Sequence, residues 1–338
     1  MKKKLQIIFA LLFLTVFFSA NILAQDHQKL AQTGFQFLSV VSDAKAASMA
    51  EAMTSLQIGS SALFFNPAGM TEMESFIDLS ASINMWIADI RHNTFSVAVK
   101  PFDGDYGVIG LSAQFVDYGE FYRTVVDKSA SLGYRDLGTF SLNAYAIGLG
   151  YAKQLSDQFS IGGQVRLVKQ DLGESTIAVI NTGVDTTSRK VDNTLSPFIF
   201  DFGTQFKPGI HSLVFGMSVR NFSQEVKYAE EGFQAPLVFS LGLSMNVLDL
   251  LEKLPIEQSL YVSVDASHFR DHAEQVKLGL DYRLLDILSL RAGYISNNDE
   301  SGMTYGFGVA KFGFAFDYAY TPFGVFDKVH RFTARFSM

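Results

Sequence analysis

The chain has 338 residues, 48% of them hydrophobic and 14% aromatic, with 32 phenylalanines and a formal net charge of −7. It has no cysteine, which excludes a disulfide framework and a thiolate metal site. Beyond the first residues there is no basic cluster, so nucleic acid is excluded as a partner.

The chain opens MKKKLQIIFALLFLTVFFSANILAQ: three lysines, an apolar run from Leu5 to about Phe18, then small and polar residues. That layout predicts a secretory signal peptide over residues 1–24, cleaved after Ala24. The alternative, a membrane anchor, needs roughly 20 apolar residues, and the run is shorter. No cysteine follows it, which excludes lipoprotein processing.

Residues 25–74 come next and lie outside the alternating pattern that follows. Ala44 to Thr54 is rich in alanine and methionine and suits a short helix. The run Phe64-Phe65-Asn66-Pro67-Ala68-Gly69 ends an apolar stretch in a turn: Asn-Pro disfavours helix before the proline, and Gly69 permits a positive φ. So apolar a segment is poorly suited to free solvent, and the expectation is an N-terminal plug in the mouth of whatever follows.

From residue 75 to 338 the hydrophobic period is two. Phe159, Ile161, Val165 and Leu167 alternate with Ser160, Gln164 and Arg166; Val276, Leu278, Leu280 and Tyr282 alternate with Lys277, Asp281 and Arg283. Phe312, Phe314, Phe316, Tyr318 and Tyr320 stand against Gly313, Ala315, Asp317 and Ala319. The runs last about ten residues, the length of a tilted membrane strand, and no later stretch suits a membrane helix. Fourteen strands are predicted, near 75–87, 92–101, 106–118, 139–153, 158–171, 195–208, 211–222, 236–248, 258–268, 273–284, 287–296, 303–310, 312–320 and 328–338. The connections 119–138, 172–194 and 223–235 are long and read as polar loops, whereas 103–105, 155–158, 208–210 and 284–286 are tight. Loop lengths that alternate in this way, with aromatics such as Tyr151, Tyr282, Tyr294 and Tyr320 ending the apolar faces, predict an all-β protein: a 14-stranded antiparallel transmembrane β-barrel with a small N-terminal plug, in the outer membrane. In the last strand Phe332, Ala334, Phe336 and Met338 face lipid, opposite Arg331, Thr333 and Arg335.

The search for chemistry returns little. G-x-S-x-G, the phosphate-binding G-x-x-x-x-G-K-[ST] and H-E-x-x-H are all absent, so no enzyme, metal or cofactor is expected. His268 and His272 read as a loop-exposed pair rather than a metal site, and Asp299-Glu300 as a solvated loop rather than a calcium site. Inward charges gather late in the chain: Asp265, Lys277, Asp281, Arg283, Arg291, Asp317, Arg331 and Arg335. They read either as a mutually neutralising ladder in a wet lumen, or as a basic surface holding the plug through Glu51 or Glu72.

Phe37-Leu38, DAKAASM at 43–49, SALFFNPAG at 61–69, WIADIRHN at 86–93, DYAY at 317–320 and HRFTARF at 330–336 together resemble the PorV/PorQ family of FadL-like outer-membrane proteins. Four positions depart from the family pattern. Lys45 stands where arginine is common, Met338 where a terminal aromatic is usual, and Ala50-Glu51 where glycine is frequent, which weighs against a tight turn there. The resemblance implies outer-membrane lipid and the barrel-assembly machinery, which reads the last strand, as partners. It also implies a role in type IX secretion, with cargo or secretion-system proteins bound through the extracellular side. FadL relatives imply an alternative, the transport of hydrophobic small molecules. The two differ in where apolar surface lies: transport needs an apolar pocket inside, whereas the alternation places mostly Gly, Ala, Ser and charge on the lumen face, which favours the protein-binding reading. A barrel enzyme has no supporting residues.

Overall fold

The computed structural model describes residues 33–180, 186–228, 232–251, 256–298, 302–326 and 328–338. The expected signal peptide and Asp299-Glu300 lie outside the described residues. The strands are β1 (Ile77–Met85), β2 (Arg91–Val99), β3 (Val108–Val126), β4 (Tyr134–Ser156), β5 (Phe159–Ile180), β6 (Thr186–Leu195), β7 (Phe198–Phe206), β8 (Val214–Ser223), β9 (Val226–Lys227) and β10 (Gly232–Phe233). They continue with β11 (Val238–Asn246), β12 (Gln258–Phe269), β13 (Gln275–Leu284), β14 (Leu288–Ile295), β15 (Met303–Lys311), β16 (Phe314–Pro322) and β17 (Lys328–Ser337).

Fourteen of these form a closed antiparallel ring, in which β6, β9 and β10 take no part. Closure is made by β1 on β17, from Asp78 opposite Ser337 to Met85 opposite His330. The chain end is tied in as well: Ile77 N–H donates to Met338 O and Met338 N–H to Ile77 O, each at 2.9 Å. A ring leaves no unpaired edge in the hydrocarbon, where an unsatisfied amide costs several kcal/mol.

Alternation sorts the side chains. Ile83, Phe95, Leu111, Ile147, Phe202, Leu241, Leu290, Phe316 and Phe332 stand on the outer face with roughly half their surface uncovered, while their neighbours Ser82, Thr94, Ser112, Ala146, Asp201, Arg291, Asp317 and Arg331 are buried inside. An apolar outer belt over a polar interior is the pattern of a transmembrane barrel. The protein is an outer-membrane protein. Tyr151 and Tyr282 end the belt on the side of the tight turns, the periplasmic side, and Tyr294 and Tyr320 end it on the other.

The structure corrects the sequence reading in three places. The supposed loops 119–138 and 172–194 are largely strand: β3 and β4 stay paired out to Val126 opposite Tyr134, and β5 pairs with β6 out to Ile180 opposite Thr186. Both ribbons run well past the span of about ten residues that crosses a bilayer. Their polar composition hid them because a ribbon standing in water has no buried face to impose alternation. Phe312 is not a strand residue; with Gly313 it forms the two-residue turn between β15 and β16, with φ of 55° and 79°. Two left-handed residues match the twist of a hairpin. The helix near Ala44 is only Ala44–Ser48, begun by Asp43, whose side chain accepts from Ala46 N–H at 2.9 Å.

A closed barrel of this kind should migrate faster on a denaturing gel unheated than boiled. Phe332→Asp, mid-strand on the lipid face, should cost up to about 2–3 kcal/mol and lower the amount of folded protein in outer-membrane fractions; wild-type levels would contradict the register of β17.

Candidate functional site: a divided lumen

Residues 33–76 run down the inside of the barrel, from Thr33 near the outer rim to the start of β1 at the periplasmic end. Thr33 and Gln36 reach the loop after β12, donating to Asp271 at 2.6 and 2.7 Å. The hydrogen bond from the His272 ring, joined by these two, holds the Asp271 carboxyl well below the ordinary carboxylate range. A carboxyl held low supports this contact at any pH above the ordinary carboxylate value and gives it up only as the pH falls further. His268 instead pairs with Glu274 at 3.0 Å, so the two histidines do not converge; among the described residues no group of three metal-ligating side chains exists.

The inner segment stays close to the wall because the wall is made of small residues where the backbone passes. A Cβ on Gly203 would lie 1.8 Å from Asn66 Oδ1, and one on Gly293 would lie 2.4 Å from the Ala50 nitrogen. Neither site has room for a side chain, so the glycines read from sequence as a bland lumen face are the footprint of this segment.

Asn66 explains the Phe64–Gly69 run. Its backbone is extended, with φ −150° and ψ 102°, and its Oδ1 accepts from Ala68 N–H at 3.1 Å, starting a single turn over Pro67–Met70. Its Nδ2 donates to Thr54 O at 2.7 Å and to Thr204 O at 3.0 Å, joining the segment to β7. Two expectations for this run are corrected. It lies deep in the periplasmic half, on β4, β5 and β7, rather than in the barrel mouth, and residues 71–76 follow it before β1 begins. Gly69 has no positive φ; it is there for proximity, since a Cβ would sit 3.0 Å from Leu56 O. Phe65 is buried, with Arg220 5.8 Å from its ring centre, and Phe64 is half-buried, its carbonyl accepting from Arg220 at 2.8 Å.

The inward charges divide into two groups. Asp281 lies 3.0 Å from both Arg283 and Arg291 and 3.8 Å from Lys45 on the inner helix; Arg291 continues to Asp317 at 2.5 Å, and Arg335 also pairs with Asp317. The second group grips the inner segment. Lys277 pairs with Glu51 at 2.7 Å, Asp265 accepts from Thr54 N–H at 2.9 Å, and Arg331 donates to Val41 O at 2.8 Å. Glu72 is held by Lys207 at 2.5 Å, a lysine that sequence reading passed over because it lies just beyond β7 at a turn.

Ala50 and Glu51 do make a tight turn without glycine: their φ values are 52° and 62°, left-handed backbone costing roughly 1–2 kcal/mol per residue. Ala50 N–H donates to Thr304 Oγ1 at 3.1 Å, and the Glu51 carboxylate is fixed by Lys277, so wall contacts impose what local preference opposes.

The segment does not fill the lumen. At the outer end a vestibule of about 310 Å³ opens between it and strands β12–β17; Val40, Val41, Trp86, Phe269, Ile295 and Phe323 form an apolar part of its wall, and polar side chains, among them Gln36, Glu51, His272, Gln275, Lys277 and Arg331, line the rest. Trp86, the only tryptophan, packs edge-on to Phe323 at 4.8 Å and carries the Arg331 guanidinium 5.4 Å from its ring centre. At the periplasmic end a second vestibule of about 590 Å³ is lined by charge, including Lys45, Asp78, Arg283, Arg291, Asp317 and Arg335. Helix Ala44–Ser48 stands between them: Ala47 lines the outer space and Lys45 the inner one. The expectation of a lumen without apolar surface is therefore corrected. The apolar wall comes from the inner segment and from strand ends and loops, which the alternation along the strands does not report.

No family model and no curated protein matches this chain. Solved structures do. The chain resembles the toluene transporter TodX of Pseudomonas putida at TM-score 0.57 and 12% identity, over 91% of this chain and 98% of that one. It resembles the monoaromatic hydrocarbon channel CymD at 0.54 and 12%, over 88% and 97% of the two chains, and a Pseudomonas aeruginosa FadL homologue at 0.52 and 14%, over 88% and 98%. The fold is that of FadL-like outer-membrane barrels.

Deleting residues 33–70 removes no ladder partner from the ring, so the deleted form should remain heat-modifiable on gels yet conduct ions in a planar bilayer, while the intact chain stays nearly closed. Equal conductance of the two forms would show that the inner segment does not close the lumen.

Proposed function

We propose that this barrel carries small hydrophobic molecules across the outer membrane, receiving them in the outer vestibule. The observation that carries the reading is the aromatic and aliphatic wall of that vestibule, Trp86, Phe269, Phe323, Ile295 and Val41, set inside an otherwise polar lumen. Polar barrels have no need of such a surface, and a recess of about 300 Å³ or more with an apolar patch and a few polar groups suits a small ligand. The likeness to a toluene transporter and a monoaromatic hydrocarbon channel is one of fold, and it supports the same class of cargo. Release toward the periplasm requires helix Ala44–Ser48 to move, since it separates the two vestibules.

A second reading, the type IX secretion role implied by the resemblance to PorV/PorQ proteins, draws on the two ribbons beyond the membrane. The β3–β4 ribbon exposes Tyr122, Val126, Leu132 and Tyr134, apolar surface of the kind that meets protein partners. It ranks second because the ribbons offer no enclosed site.

The test uses Trp86, the chain's own reporter. Titrating purified protein with toluene should change its fluorescence saturably, and Phe269→Ala should weaken the apparent affinity several-fold. A strictly linear, non-saturating response in a heat-modifiable sample would refute binding at this site.

A further inference from the structure

The periplasmic vestibule differs in kind from the outer one. No aromatic ring lines it, and beside its charges the lining is mostly small, with Ser75, Ser289 and Ser337 supplying hydroxyls. Several of its charges are satisfied within the protein. Arg291 donates to Asp281 and Asp317, and the second oxygen of Asp317 accepts from Arg335. Asp78 accepts from Ser60 N–H at 2.7 Å and Ser337 Oγ at 2.6 Å, and Glu72 is paired through one oxygen with Lys207. The remaining capacity is of both signs. Arg283 gives only its Nε to Asp281 and keeps 32% of its side chain uncovered. Arg335 gives Asp317 one terminal nitrogen, and its Nε has no partner among the described residues. Lys45, on the helix that closes the inner end, has Asp281 no nearer than 3.8 Å. Opposed to these are Glu74, just before β1, and Asp286, in the turn between β13 and β14; both are exposed and neither has an ion pair among the described residues.

We infer that the periplasmic vestibule is a second binding site, one for small zwitterions of short-peptide type, with the ligand's carboxylate held inward by Arg283, Arg335 and Lys45 and its ammonium held at the mouth by Glu74 and Asp286. This goes beyond the transport reading and does not rest on it, since the outer vestibule and its aromatic wall take no part. The guanidinium fork matches a carboxylate, and the pairing is stronger where the walls exclude part of the bulk water. A plain anion meets Glu74 and Asp286 on entry, and a plain cation meets the arginines further in, so a ligand carrying both charges is the one that both ends favour. Three extended residues span about 10 Å, a length that a space of about 590 Å³ accommodates. Small hydroxyl-bearing walls suit a polar chain rather than a bulky apolar one.

The experiment is calorimetric titration of the purified full chain with triglycine, N-acetyl-triglycine and triglycine amide. The second probe lacks the ammonium and the third lacks the carboxylate. The variants are Arg283→Met, which leaves Asp281 with Arg291 and Lys45, and Glu74→Gln/Asp286→Asn at the exposed mouth; heat-modifiability on gels certifies each barrel. Triglycine should bind saturably, one per barrel, and each analogue at least about tenfold more weakly, the loss expected for one hydrogen-bonded charge. Arg283→Met should weaken triglycine to the level of the amide. Glu74→Gln/Asp286→Asn should bind triglycine and N-acetyl-triglycine alike while still discriminating against the amide. Toluene at saturation should leave triglycine binding unchanged. No saturable triglycine binding, equal binding of all three probes, or an unchanged affinity in Arg283→Met would overturn the site. N-acetyl-triglycine binding as tightly as triglycine to the full chain would overturn the zwitterion in favour of a simple anion. A preference for triglycine over its acetylated form that survives in Glu74→Gln/Asp286→Asn would overturn the role of those two acids. Competition by toluene would move the ligand to the outer vestibule and overturn the inference.

Discussion

The structure depends on one constraint: within hydrocarbon, backbone amides have no water to bond to, so every strand must have two neighbours. The pairing of β1 with β17, extended by the reciprocal bonds between Ile77 and Met338, meets it by joining the first strand of the ring to the last. Closure obliges one face of each strand to meet lipid and the other to meet whatever lies inside. Lys277, Asp281, Arg291 and Arg331 are tolerable in the wall because that inside is protein and enclosed polar space.

A ring of fourteen strands leaves a lumen wider than its own side chains fill. Here the chain fills it with its N-terminal segment, and the two surfaces are shaped for each other. Where the segment's backbone touches the wall there is glycine, as at Gly162 and Gly293; where its backbone groups need partners there is a charged or amide side chain, such as Asp265 or Gln205. The grip is uneven. The stretch around Asn66 is bonded to β7 and packed on glycine, whereas the turn at Ala50 and Glu51 is held in a conformation its residues disfavour. That unevenness sets a firm anchor in the periplasmic half and a strained element beside the outer vestibule.

The functional reading follows from which residues line empty space rather than from which residues are charged. The late-chain charges first suggest a lumen for water and ions, but Asp281 and Asp317 are paired with arginines, Lys277 is paired with Glu51 of the inner segment, and one oxygen of Asp265 accepts from that segment's Thr54 N–H. What remains unfilled at the outer end has Trp86, Phe269, Ile295 and Phe323 on its wall, an apolar patch among polar side chains.

Much of the fold was legible in the chain. Period-two alternation located the barrel strands and assigned Phe332 and Arg331 to opposite faces, because in a barrel each face has a uniform solvent, lipid or lumen, along the whole strand. The ribbons β3–β4 and β5–β6 were not legible, since beyond the membrane both faces meet water and the pattern lapses. For the inner segment, sequence established its apolar character and the turn at Asn66-Pro67, which are local properties. Its depth, the proximity role of Gly69, the left-handed backbone at Ala50 and Glu51 and the partnership of Glu51 with Lys277 were decided only by tertiary structure, because each depends on contacts between residues far apart in the chain. The vestibule belongs to the same class: Val41 comes from the inner segment, Phe269 from a strand end and Phe323 from a loop, and no periodicity within any one of them records that closure of the ring brings all three around one space.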